Sequence, residues 1–94
     1  MLELALAFDD DFDQKKSRWT KKTRGIDFIE AREVFFDPNE TVGPGTVKGG
    51  EARWLRIGMA KRRLWTVGYT MRRGLIRIFM ARPPHDDEKE AYDV

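Results

Sequence analysis

Cysteine is absent from this 94-residue chain, and histidine occurs once, at position 85. The first absence excludes disulfide staples and thiolate metal sites, and the two together argue against a structural zinc centre. A reducing compartment, the cytoplasm, is the expected setting. Long apolar runs are also missing. The chain begins apolar, but Glu3 and Asp9 interrupt early and no basic segment precedes them, so neither a signal peptide nor a membrane span is expected. At this length one small domain, residues 1–94, is expected, with stability modest or shared with a partner.

Acids are scarce in one long stretch. Between Glu51 and Arg82 there are eight arginines and one lysine against a single acid, interleaved with Trp54, Trp65, Tyr69 and Phe79. Other segments are equally segregated: residues 1–13 hold five acids and no base, 15–24 six bases and no acid, and 86–94 five acids against Lys89. The formal net charge is only +2. Basicity therefore lies in placement, and a cationic, aromatic face of this kind suits a polyanion.

Local patterns set the elements. Leu2, Leu4, Leu6 and Phe8 alternate with Glu3, Ala5 and Ala7, the period of a half-buried strand. Asp13 is placed to cap a helix over 14–24, with Trp19 as its apolar anchor and Gly25 as a left-handed stop. Asp27 and Glu30 have the reciprocal capping-box spacing, so a second helix carrying Phe28, Ala31, Val34 and Phe35 is expected, ending at Asp37-Pro38. Residues 39–50, with four glycines and Pro44, read as a flexible loop without an element.

Three strands are then expected, at about 52–58, 64–70 and 75–82, with turns at Lys61-Arg62-Arg63 and Arg72-Arg73-Gly74. After Pro83-Pro84, residues 85–92 read as a short helix. The order predicts an α+β fold: a small antiparallel sheet made of the N-terminal strand plus a three-stranded meander, with helices on one face. Alternation places Ile76, Ile78 and Met80 on one face, away from Arg77 and Phe79, and separates Arg53, Leu55 and Ile57 from Trp54 and Arg56. Trp19, Phe28, Phe35, Trp54 and Trp65 are expected in the core.

Several pieces in register resemble a known family. The run Gly25-Ile26-Asp27-Phe28-Ile29-Glu30-Ala31, then Val34-Phe35 and Asp37-Pro38, resembles the pattern of BrnT-type toxins. Glu51-x-Arg53 with Ile57-Gly58, Val67-x-Tyr69-Thr70-x-Arg72, Arg77-Ile78-x-x-Ala81-Arg82 and residues 88–92 follow in the same order and spacing. The resemblance implies a ribonuclease toxin of a type II toxin–antitoxin pair, with a RelE-like fold and no cofactor. It also implies a BrnA-like antitoxin that holds the toxin inactive in a two-plus-two complex and binds operator DNA, with no membrane involved.

Two departures from the family pattern are visible. Thr23-Arg24-Gly25 stands where these toxins usually carry Lys-His-Gly, and Met80 stands at an often-serine position.

RNA cleavage by internal attack of a 2′-hydroxyl needs a base, cations for the phosphorane and an acid for the leaving oxygen. Forked arginine donors match phosphate oxygens. By motif match, Arg53, Arg77 and Arg82 are the catalytic candidates, with Tyr69 as an acid or a stacking surface. Lys21, Lys22, Arg24 and Arg72 are the expected RNA contacts. Arg24 keeps a positive charge in this stretch but cannot lose a proton at neutral pH, and Lys21 or Lys22 would need a strongly lowered pKa to serve as base.

His85 has the right chemistry for proton transfer, but its place between Pro83-Pro84 and Asp86-Asp87 reads as a helix cap or solvated loop. Capping accounts for most acids of residues 9–13 and 86–90 better than magnesium ligation does, so no metal site is expected. A catalytically lapsed relative, and a non-enzymatic module that binds RNA or antitoxin, are the alternatives to an active enzyme.

Overall fold

The structure, a computed structural model, describes residues 6–92. Helix α1 (Gln14–Arg24) and a 3-10 helix (Glu30–Phe36) precede strands β1 (Thr41–Lys48), β2 (Glu51–Ala60), β3 (Arg63–Arg72) and β4 (Leu75–Arg82), and helix α2 (Asp86–Tyr92) follows. The strands pair in sequence order, each antiparallel to the next. The fold is α+β, as expected. Among the described residues, no helix is long and apolar enough to cross a membrane.

The helix ends follow the capping logic. Asp13 accepts the Lys16 amide at 3.0 Å, and Gly25, at φ 90°, donates its own amide to the Lys21 carbonyl at 3.0 Å. The capping box is formed from both sides: Glu30 accepts the Asp27 amide at 3.1 Å while Asp27 accepts the Glu30 amide at 2.7 Å. The element it opens is a 3-10 helix and not an α-helix. Three residues per turn stack Ala31 over Val34, and both are fully buried.

The expected loop over 39–50 is corrected by β1, which pairs with β2 from Thr41↔Ile57 to Lys48↔Glu51. A register shift between Gly43 and Thr46 absorbs the irregular Gly-Pro-Gly segment. A proline that cannot donate to a ladder is tolerated on an edge strand at such a shift. All three hairpins turn on two residues of positive φ: Gly49 and Gly50, Lys61 and Arg62, Arg73 and Gly74. This is the turn geometry that matches strand twist. Lys61 adopts it without being glycine, and its amide donates to Glu33 at 3.3 Å while its ammonium pairs with Glu30 at 2.9 Å. The turn is thereby tied to the 3-10 helix.

Residues opposed across an antiparallel pair share a face. Register places Trp54, Arg56 and Gly58 with Tyr69, Val67 and Trp65, and these with Ile78 and Ala81, on the core face. Ile26, Phe28, Val34 and Phe35 close that core. The 3-10 helix packs closely, since a Cβ on Gly58 would stand 3.0 Å from Val34.

Three side-chain expectations change. A bulge opposite Gly68 and Tyr69 shifts the alternation at Phe79, so Ala81 and not Met80 joins Ile76 and Ile78 on the core face. Trp19 and Trp54 are 51% and 40% exposed, while α1 buries Ser17 and Thr20 instead. The Ser17 hydroxyl accepts the buried Phe28 amide at 2.9 Å, a bond no tryptophan could make. The helices also do not share one face: Glu88 of α2 accepts the Thr66 hydroxyl at 3.0 Å, on the side turned away from the core.

The expected first strand lies mostly outside the described residues. What is described is a parallel bridge of Phe8 to Ile76, with the Asp9 amide donating to the Ile76 carbonyl and the Ile76 amide to the Ala7 carbonyl, both at 2.9 Å.

Candidate functional site

The second face of the sheet carries cations around one aromatic ring. Phe79 lies across this face above Gly68, where an added Cβ would stand 2.7 Å from the ring. The Arg53 guanidinium sits 4.9 Å from the ring centroid, and the Lys16 ammonium, reaching from α1, sits 5.6 Å from it. Both are within cation–π range. Neither side chain makes an ion pair or hydrogen bond among the described residues.

Two buried polar atoms on this face have no partner. Arg53 Nε and Thr70 Oγ1 are both without a hydrogen bond. They flank the Trp54↔Tyr69 pair on the same side of the sheet, and Arg77 stands opposite Thr70 in the next strand. Unsatisfied buried donors are uncommon and call for water or a ligand oxygen. Arg53, Thr70 and Arg77 thus form a row of donors beside Phe79.

Arg77 is anchored by its Nε, which donates to the Asp11 carbonyl at 2.7 Å. Its terminal nitrogens are left without a bond among the described residues. Arg82 is engaged differently. Both of its terminal nitrogens meet Glu88, at 2.7 and 3.0 Å, and the Glu88 carboxylate also accepts the His85 amide at 2.7 Å. The Arg82 hydrogen bonds hold the Glu88 carboxyl at about 2, against the opposing effect of burial. His85 accordingly stands at the start of α2, with Glu88 reaching back to its amide as in a capping box.

Tyr69 belongs to the other face. It is 5% exposed, its ring meets Phe35 edge-on at 5.0 Å, and its hydroxyl lies 3.2 Å from Arg56. The structure therefore brings Arg53, Arg77 and Arg82 to one face and leaves Tyr69 behind the sheet.

The expected RNA contacts are dispersed. Lys21 pairs with Glu30 at 2.7 Å, Arg72 lies 3.8 Å from Glu51, and Lys22 lines a shallow groove of about 320 Å³ beside α1. Arg24 donates to the Ala81 carbonyl at 2.7 Å and stacks on Trp19 at 5.2 Å, fastening α1 to the outer strand.

Lys16 is the residue that motif reading passes over. Its pKa is lowered by shielding from water, an effect that Asp13 opposes and that the Arg53 and Arg24 charges reinforce. A signal was present: Lys16, Thr20 and Arg24 recur every four residues and so share one helix face. Among the described residues, no group of three or more histidines, cysteines or carboxylates is placed to hold a metal.

Comparison with curated proteins yields no match. The model of a family described as the ribonuclease toxin, BrnT, of type II toxin–antitoxin systems matches residues 12–88, a span that runs from the residue before the α1 cap to the Glu88 carboxylate and includes every cation of the site. A match over most of the chain fixes its membership: this protein belongs to the BrnT family of type II ribonuclease toxins.

Proposed function

We propose that the chain is an endoribonuclease that cleaves single-stranded RNA without a metal ion, and that the face around Phe79 binds the scissile phosphate. The observation that carries this reading is the contrast among the arginines. Arg56 and Arg82 are matched to carboxylates, whereas Arg53 lies beside a buried, unpartnered hydroxyl with no acid in contact. Such an arrangement gains most from an oxyanion.

Arg53 and Arg77 take the phosphate oxygens, with Lys16 alongside, and Phe79 excludes water from one side. Arg82 acts by holding α2 against the sheet, and Tyr69 by holding Arg56. Metal independence is supported by the occupation of nearby acids: Asp13 caps α1, Asp9 accepts the Asp11 amide at 2.9 Å, and Glu88 is saturated by Arg82, Thr66 and His85.

In the cell, a cytoplasmic toxin of this kind would block translation by destroying RNA until a BrnA-like antitoxin covers it. A two-plus-two assembly that binds its operator through the antitoxin, a RelE-like fold and a single domain over residues 1–94 complete the reading. An acidic antitoxin surface would fit a face whose cations lack internal partners. A lapsed enzyme that retains binding is the second reading, favoured by Arg24, which is committed to the Ala81 carbonyl where the family usually has histidine.

The deciding experiment is cleavage of labelled single-stranded RNA in excess EDTA by the wild type and Arg53→Ala. Cyclic phosphate ends from the wild type alone support the enzyme. Tight RNA binding with no cleavage, on free RNA and on translating ribosomes, supports the lapsed relative.

A further inference from the structure

We propose that Lys16 is the base that removes the 2′-hydroxyl proton; this rests on the ribonuclease reading above. The argument begins with position. Lys16 lies in the first turn of α1 and extends over Phe79, the ring that Arg53 reaches from β2. A phosphate held by Arg53 and Arg77 would bring the neighbouring ribose within the reach of this amine. The ammonium makes no hydrogen bond or ion pair among the described residues, so no carboxylate contact has to break before it acts.

Three other proton carriers of this region are committed. Asp13 accepts the Lys16 amide, Glu88 is shared by Arg82, Thr66 and His85, and the Tyr69 hydroxyl is behind the sheet with Arg56. The groups facing Lys16 are Asp13 and Arg24 on its own helix, Arg53 on β2 and the Phe79 ring on β4. Shielding from water disfavours the charged amine, Asp13 opposes that effect, and the Arg53 and Arg24 charges reinforce it, so the Lys16 pKa lies below the usual lysine range. A lowered pKa moves the amine toward the neutral form that a base requires.

The step balances without any further reactant. Neutral Lys16 takes the proton from the 2′-hydroxyl as the 2′-oxygen bonds to phosphorus. The bond from phosphorus to the 5′-oxygen breaks, the 5′-oxygen takes a proton from water, and Lys16 returns its proton to the solvent. The products are a 2′,3′-cyclic phosphate and a 5′-hydroxyl.

The test compares wild type, Lys16→Arg and Lys16→Met across pH, with RNA affinity measured on the same samples. Arginine keeps the charge but cannot give up a proton in this range. Lys16→Arg should bind RNA within about threefold of wild type and cleave about 100-fold more slowly or worse, the scale of lost general-base catalysis. It should also lose the rising limb of the pH profile. Lys16→Arg with the wild-type rate and limb would overturn the assignment and leave the ribonuclease reading standing.

Absence of cleavage by the wild type itself would overturn both. A second measurement does not depend on turnover or on variant folding: carbon NMR of the reductively methylated wild-type protein. The Lys16 signal should titrate at the lowest pH of the lysines, and titration together with the exposed ones would also sink the proposal.

Discussion

The two faces of the sheet use arginine to opposite ends. On the core face, Arg56 stacks on Phe35 at 5.1 Å and is bound by Glu40 and the Tyr69 hydroxyl, so its charge is spent on the fold. Both arginines bury an Nε that has no acceptor, but on the other face Arg53 has only the Phe79 ring and, among the described residues, no carboxylate partner. The residues are three apart in β2 and thus point to opposite sides. A count of arginines along a strand says nothing of which ones are available, since the neighbours in three dimensions decide it.

The comparison breaks if the two arginines prove interchangeable. Arg53→Ala should lower RNA cleavage by roughly 1000-fold, on the order of 4 kcal/mol, as loss of a transition-state donor does. Its melting temperature should stay near wild type. Arg56→Ala should show the reverse emphasis, costing about 2 kcal/mol in urea unfolding because the partly buried Glu40 is left without its cation. Equal stability losses from the two substitutions would mean that the faces do not differ as described.

A finer probe is Gly68→Ala, whose Cβ would displace the Phe79 ring from beneath the two cations. Phe79 can swing aside, so cleavage should fall about tenfold, a misplacement effect, with the circular dichroism spectrum unchanged. Unaltered cleavage would remove Phe79 from the site.

The smallest expected effect concerns acid. Glu88 and Glu30 are each depressed from 4.5 to about 2, Glu88 by the Arg82 hydrogen bonds and Glu30 by those of Lys21 and Lys61. A carboxyl with a folded pKa below its unfolded value contributes stability that is full above the unfolded value and is lost as pH falls through the folded one. Stability should therefore decline between pH 4.5 and 2. Each carboxyl contributes on the order of 1–2 kcal/mol after allowance for solvent screening. Arg82→Ala should flatten the Glu88 part of that decline, which urea titrations at several pH values would reveal.

Much of the fold was legible because its signals are local. Asp13, Gly25, the Asp27–Glu30 pair and the turn at Arg73-Gly74 act within a few residues of themselves. β1 was not legible, since its glycines and proline are those of a loop and only pairing with β2 makes a strand of them. The family pattern led to Arg53, Arg77 and Arg82, but the bulge that rotates Phe79 onto their face depends on register across strands. Nor does a motif distinguish Arg82, matched to Glu88, from Arg53, matched to nothing. Lys16 enters the site only once α1 lies against β4.

The sheet's neighbour-to-neighbour pairing also sets a timetable. Every hairpin closes over a two-residue turn, so its loop-closure entropy is small and zippering can proceed outward from each turn in microseconds to milliseconds. The bridge from Phe8 to Ile76 is a long closure, joining a residue made before α1 to one in β4. On the ribosome, the chain's beginning must therefore wait for β4 to emerge. The Asp11 carbonyl that anchors Arg77 arrives with that late docking, so the row of Arg53, Thr70 and Arg77 is completed only after β4 has been made.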